Sequence, residues 1–267
     1  MDALRFIERI KRSTDYHGQI VHAESLAERE AQYATLDTPL PDALTVALAA
    51  QGITRLYSHQ AEAIDRARSG FHWIITTPTA SGKSLSYNAP VLETLLADSD
   101  ARALYLFPTK ALAQDQRGKI DALKLPGMTT ATYDGDTPKE ERGWVKRMAR
   151  IVITNPDMLH MGILPYHTGW GTFFRNLRYV VVDEAHIYRG VFGAHVANIL
   201  RRLRRVAAHY GASPQFFACS ATIANPGELF TKLTGLSAET ISGTGAPSGK
   251  KQFVFWNPPV LDKLTGA

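Results

Sequence analysis

Cysteine is nearly absent from this 267-residue chain, where Cys219 stands alone. One thiol can make neither an internal disulfide nor a cysteine-ligated zinc cluster. Its place in the apolar run Phe216-Phe217-Ala218-Cys219 marks it for core packing. Long apolar runs are missing as well. No stretch approaches the roughly 18 residues that a membrane span requires, and Met1 to Lys11 mixes acids with bases where an export signal would be continuously apolar. Internal repeats and low-complexity tracts are also lacking. A cytoplasmic, monomeric protein with no membrane partner is the expectation. With 45% hydrophobic and 21% charged residues the chain can bury a sizeable core. Its net charge of +5 permits a polyanionic partner without specifying one.

From residue 71 onward, short β-rich runs alternate with helical patterns: 71–76, 103–107, 129–133, 151–154, 179–182 and 215–219. The runs Val180-Val181-Val182 and Leu104-Tyr105-Leu106-Phe107 are apolar without alternation, as in strands covered by helices on both faces. The pattern predicts an α/β fold with a mostly parallel sheet flanked by helices, whose ligands gather at the carboxyl ends of the strands. Between Ala194 and Tyr210, Val196, Ile199, Leu200, Leu203 and Val206 share a helical face. Arg201, Arg202, Arg204 and Arg205 lie off it, either as a DNA patch or as an ordinary solvated surface. Residues 1–55 lack the strand-helix rhythm and read as a partly helical extension, with one helix near the start and another over 42–51. The Gly-, Ser- and Pro-rich stretch 242–251 reads as a linker. The expected division is 1–55, an accessory extension; 56–241, the main domain; and 242–267, the linker with the start of a further domain.

After the first strand comes Thr77-Pro78-Thr79-Ala80-Ser81-Gly82-Lys83-Ser84, followed by a helical pattern through Leu85, Leu92 and Leu95. This is the strand-loop-helix context of a phosphate-binding loop, although Thr77 stands where the usual motif begins with glycine. Loop amides at a helix N-terminus can surround an anion. Lys83 can reach the β and γ phosphates of ATP, and the Ser84 hydroxyl can bind Mg²⁺. Downstream, the run Tyr179 to Val182 leads directly into Asp183-Glu184-Ala185-His186. Asp183 at a strand end suits the shared Mg²⁺, and Glu184 suits polarising the attacking water. His186 reads either as a polar relay, as a ligand or base in its own right, or as a structural residue.

Six segments in order give the chain a family likeness: it resembles DEAH-type superfamily 2 helicases over residues 55–235. Leu56-Tyr57-Ser58-His59-Gln60 looks like a Q motif, which implies that Tyr57 and Gln60 serve the adenine. Residues 79–84 correspond to motif I, 108–116 to motif Ia, 154–157 to motif Ib, 183–186 to motif II and 220–222 to motif III. The runs 16–22, 186–196 and 253–259 are similar to the branch that contains bacterial mitomycin repair factor A and its fungal RecQ-like relatives. The resemblance implies a RecA-like motor domain, ATP and Mg²⁺ as cofactors, DNA as the tracked strand, 3′ to 5′ movement and a role in DNA damage repair.

By the same resemblance, Thr79, Ala80, Ser81, Gly82, Lys83 and Ser84 hold the nucleotide. Thr109, Lys110, Thr154 and Asn155 meet the backbone of single-stranded DNA, with Arg189 as a further candidate. Gly135, in the run Tyr133-Asp134-Gly135-Asp136-Thr137, approaches the same strand or forms a plain turn. Ser220 and Thr222 are expected to hydrogen-bond toward Glu184 or His186, coupling hydrolysis to grip. The resemblance further implies a second RecA-like domain in cis that supplies arginine fingers. Without it the chain is expected to bind ATP weakly, hydrolyse little and unwind nothing. Two other readings stay open at this point: a motor that remodels RNA or translocates without unwinding, and a nucleotide-gated nucleic-acid-binding module.

Overall fold

The computed structural model describes residues 3–78 and 80–258. Thr79 and the end of the run 253–259 lie outside the described residues. Among the described residues eleven strands follow one another: β1 (Ile20–Leu26), β2 (Tyr33–Ala34), β3 (Leu56–Tyr57), β4 (Trp73–Thr76), β5 (Arg102–Leu106), β6 (Thr130–Thr132), β7 (Ile151–Thr154), β8 (Leu177–Val182), β9 (Gln215–Ser220), β10 (Glu239–Ile241) and β11 (Lys251–Trp256). Two compact units emerge, one spanning residues 33–245 and the other combining 1–32 with 246–267.

The larger unit is built on a seven-stranded sheet in the order β10-β4-β9-β8-β5-β7-β6, with every neighbouring pair parallel. Its apolar strands resolve into a period of two in which both faces are buried. Ile74, Leu104, Val180, Val182, Phe216 and Ala218 enter one core. Their chain neighbours Trp73, Tyr105, Val181, Phe217 and Cys219 enter the other. That is why no polar alternation marks these strands. Helix Gly190–His209 buries Val196, Ile199, Leu200 and Leu203 in the first core. The second is closed in part by Tyr87, Val91, Leu92 and Leu95 of helix Lys83–Ala97. Cys219 is a free, buried thiol in that core, and burial pushes its pKa up.

Several features depart from the sequence-based expectation. β10 is short and polar in sequence, and it extends the sheet edge beyond the predicted strands. Residues 33–55 belong to the larger unit: helix Asp42–Ala50 buries Leu44 and Leu48 in the second core, and Arg68 donates to the carbonyls of Thr38 and Pro39. The arginines of helix Gly190–His209 are neither a bare patch nor a purely solvated face. Arg201 donates to Lys232 O, and Arg204 to the carbonyls of Thr234 and Gly235. They thereby satisfy the unpaired carbonyls at the C-terminus of helix Pro226–Thr234.

In the smaller unit, β1 pairs antiparallel with β11 from Ile20↔Trp256 to Leu26↔Lys251. The run 253–256, read from sequence as the start of a further domain, is a strand that returns to the N-terminal extension. Helix Ala3–Lys11 accompanies this ribbon. Among the described residues no helix is long and apolar enough to cross a membrane.

Phe217 tests the second core. It stacks on Trp73 across the β4–β9 pair at 4.5 Å and 9°, and meets Tyr179 at 5.3 Å. Truncation there leaves a cavity between rigid strands, so Phe217→Ala should lower unfolding free energy by about 3–5 kcal/mol in denaturant titration.

Candidate nucleotide and nucleic-acid site

The sheet order sorts the polar motifs into two groups along its carboxyl edge. β4, β9 and β8 lie side by side and end in the phosphate loop, motif III and motif II. β5, β7 and β6 lie side by side beyond them and end in motifs Ia and Ib and the Tyr133–Thr137 turn.

The loop after β4 turns into helix Lys83–Ala97 through Gly82, whose φ is +78°. Left-handed backbone favours glycine, and a Cβ at this position would stand 2.7 Å from Gln60 Nε2 and displace that carboxamide. Gln60 ties this loop to the segment before it. Its Oε1 accepts from the Tyr57 amide at 2.9 Å, and its Nε2 donates to Gly82 O at 2.9 Å. Its buried carboxamide therefore braces the phosphate loop from below. Within the loop the hydroxyls of Thr77 and Ser81 share a buried 2.6 Å hydrogen bond, and Ala80 also has positive φ.

Lys83 Nζ donates to Thr77 O at 3.0 Å and to Ser220 O at 3.1 Å. These carbonyls lie at the ends of the paired strands β4 and β9. An ammonium has three donors, so one remains for an incoming oxygen.

At the end of β8, Asp183 Oδ1 accepts from the Glu184 amide at 2.8 Å, and Oδ2 accepts from the Tyr87 hydroxyl at 3.2 Å. Burial pushes its pKa up to about 6, with the neighbouring Glu184 charge adding to the rise and the two hydrogen bonds opposing it. Glu184 has φ +50°, which turns the chain sharply after the strand. Its Oε2 lies 3.2 Å from His186 Nδ1, the same atom that accepts from Ala221 N at 3.1 Å. A backbone amide can only donate, so this Nδ1 carries a lone pair and the imidazole proton sits on Nε2.

Motif III therefore reaches the phosphate site through its main chain. Ser220 O holds Lys83, and Ala221 N holds His186. The Ser220 hydroxyl turns back onto Ala221 O, and Thr222 is exposed with no side-chain hydrogen bond among the described residues. The expected hydroxyl contacts to Glu184 or His186 are replaced by these backbone ones.

In the second group, Thr109 caps helix Lys110–Asp121 by accepting from Leu112 N. Lys110 pairs with Asp136 in the turn after β6. Asn155 accepts from Met158 N, while Gly135 and Arg189 are exposed. Thr154 departs from expectation: it is 2% exposed and its hydroxyl is spent on Tyr133 O at 2.6 Å, so it supports the edge from within.

Two groups escaped the sequence reading. A cleft of about 840 Å³ beside the phosphate loop is lined by Gln60, Tyr57, Ser84 and Asn88, and also by Tyr33 and Arg55. The Arg55 guanidinium lies 3.7 Å over the Tyr33 ring, which stacks on Tyr57 at 5.4 Å. Tyr33 reaches this place through the β2–β3 pairing, which has no local signature. Tyr87 is the other; its position one helical turn beyond Ser84 could have drawn attention to it. The cleft has the volume of a small-molecule site. Ser84 and Asp183 offer the hard oxygen donors that suit Mg²⁺ alongside phosphate.

The raised pKa of Asp183 has a measurable sign. Ionisation costs little below the unfolded value of 3.8, costs progressively more as pH rises toward 6, and costs fully above it. Without metal, Asp183→Asn should raise Tm above pH 6, by about 2–4 °C per kcal/mol relieved, and the gain should vanish near pH 4. Thermal melts at both pH values check this.

The DEAD/DEAH box helicase family matches residues 57–229. The chain is 48% identical over 91% of its length to the ATP-dependent helicase YprA of Bacillus subtilis, and 46% identical over 96% to the ATP-dependent helicase hrq1 of Schizosaccharomyces pombe. It spans 33% and 25% of those two proteins. Among solved structures it is similar to the DUF1998 helicase MrfA bound to DNA and AMPPNP, with TM-score 0.91, 46% identity, and coverage of 98% of this chain and 37% of that one. The phosphate loop at β4, the acidic pair at β8 and the Ser-Ala-Thr turn at β9 fall within the matched region, and the chain belongs to the DEAD/DEAH box helicase family as a RecA-like motor domain.

Proposed function

We propose that this chain is the first motor domain of an ATP-dependent helicase that tracks single-stranded DNA in damage repair. The observation that carries the reading is Lys83. One ammonium bridges the carbonyls of the phosphate loop and of motif III, so a phosphate drawing it away would be felt at both strand ends.

The chain's own groups divide the work. Loop amides and Lys83 hold the triphosphate, and Tyr33, Arg55 and Tyr57 flank the base side of the cleft. Ser84 and Asp183 hold Mg²⁺, which when bound supplies positive charge against the phosphate oxygens. Glu184 accepts the proton of the attacking water. His186, accepting from Ala221 N, ties the segment that carries this base to the β9 end. Thr109, Lys110, Gly135 and Asn155 provide the side chains and amides that hold a phosphate backbone without reading sequence, with Arg189 as an outlying contact. Residues 1–32 with the ribbon strand β11 act as an accessory unit. A second RecA-like domain in cis, by analogy with longer relatives, completes the site with arginine fingers. DNA is favoured over RNA because the MrfA structures, at 45–46% identity, contain DNA.

A fluorescent ATP analogue titrated with Mg²⁺ should bind the chain, and Lys83→Ala should lose at least tenfold in affinity. Phosphate release should be stimulated by single-stranded DNA in a full-length protein carrying this domain, and barely detectable in the chain alone. Equal nucleotide binding by both forms, together with hydrolysis indifferent to DNA, would sink the assignment. Matched DNA and RNA oligonucleotides separate an RNA-remodelling motor from the proposed one.

Lys110 yields a second expectation. Its exposed ion pair with Asp136 occupies the cation that a DNA phosphate would use. Asp136→Asn should strengthen single-stranded DNA binding by about two- to fivefold at low salt, with a steeper salt dependence. Fluorescence anisotropy across a salt series checks both.

A further inference from the structure

We propose that Tyr87 is a positioning residue for the divalent-cation site, its buried hydroxyl fixing the Asp183 carboxylate relative to Ser84. The inference rests on the reading of Ser84 and Asp183 as the magnesium residues.

Tyr87 is fully buried, on helix Lys83–Ala97 one turn past Ser84. Its hydroxyl donates to Asp183 Oδ2 at 3.2 Å. One helix thus carries both Ser84 and the hydroxyl that holds Asp183, linking the two residues assigned to the cation. Burial and the neighbouring Asp183 charge push the phenol pKa well up, so the group stays a protonated donor at working pH.

The ring has no freedom to do otherwise. It meets Tyr105 edge-on at 5.5 Å and 89°, and the Tyr105 hydroxyl is itself engaged with Asn88 Oδ1 at 3.0 Å. The surroundings of the ring are apolar core, where phenylalanine would pack as well. The hydroxyl is therefore superfluous to packing and specific to Asp183.

Its effect follows from counting donors. Asp183 Oδ1 is held by the Glu184 amide, a bond that either carboxylate oxygen could accept after rotation about Cβ–Cγ. The second donor, Tyr87, removes that freedom by claiming Oδ2. A carboxylate oxygen has further lone pairs, so both oxygens keep capacity for a cation or its water. Hydrogen bonds to charged acceptors are stronger than neutral ones. Because Tyr87 and Ser84 ride on one helix, a shift of that helix carries hydroxyl and ligand together toward or away from Asp183.

The test uses this chain and a fluorescent ATP analogue, measured in EDTA and along a Mg²⁺ series, with Tyr87→Phe, Asp183→Asn, the double variant, and Tyr105→Phe as a packing control. Mn²⁺ occupancy by EPR in the presence of AMPPNP gives a second readout. Tyr87→Phe is expected to need about tenfold more Mg²⁺ for half-maximal binding, with Tm near wild type and weaker Mn²⁺ occupancy. It should add nothing in the Asp183→Asn background, and Tyr105→Phe should leave the series in place. The proposal is overturned if the Tyr87→Phe series superimposes on wild type while Asp183→Asn shifts it, or if Tyr87→Phe shifts it equally with and without the carboxylate. An Asp183→Asn series identical to wild type would instead refute the assignment of the metal residues, and the proposal with it.

Discussion

Burial of both faces of the seven-stranded sheet is the constraint on which the rest of the domain depends. A parallel sheet sandwiched between helices has no polar face to offer, and its chemistry must collect where the strands end. β4, β9 and β8 bring Lys83, Ser220 and Asp183 to adjacent strand ends because Trp73, Phe217, Val181 and their neighbours pack the layers beneath. The order β5-β7-β6 then sets the candidate nucleic-acid edge beside the phosphate edge, so one rigid sheet carries both.

Communication across this edge runs through main-chain groups. Ser220 O and Ala221 N are fixed by the position of β9, and each holds a side chain from another motif. A strand end moves little by itself, so displacement of Lys83 or His186 would change the turn after β9 as a unit. Side-chain hydroxyls with free rotation would transmit such a displacement less faithfully.

The central strands were legible in the sequence because they are continuously apolar, and motifs I and II because glycine, lysine and acids at strand ends leave few alternative readings. Thr109 and Asn155, read from sequence as contacts to a DNA backbone, each cap the helix that follows their strand. Thr154 was misread as accessible because burial of a short polar side chain depends on the neighbouring strand, here through Tyr133 O. Tyr33, Arg55, β10 and the β1–β11 pairing stayed hidden because each depends on partners distant in sequence, which local periodicity does not record. The capping role of Arg201 and Arg204 was hidden for the same reason.

The ribbon has a consequence for the order of events during synthesis. Leu26 pairs with Lys251, and the entire larger unit lies between them in the chain. At about 5–20 residues per second, β1 waits on the order of tens of seconds for its partner strand. Over that interval it is an unpaired edge carrying exposed Val21 and Leu26, interrupted by His22 and Glu24. A charged residue within such a strand discourages pairing with other nascent chains. Closure of the ribbon thus reports that the intervening residues have already been made, so the smaller unit acquires its structure only after the larger one has been synthesised.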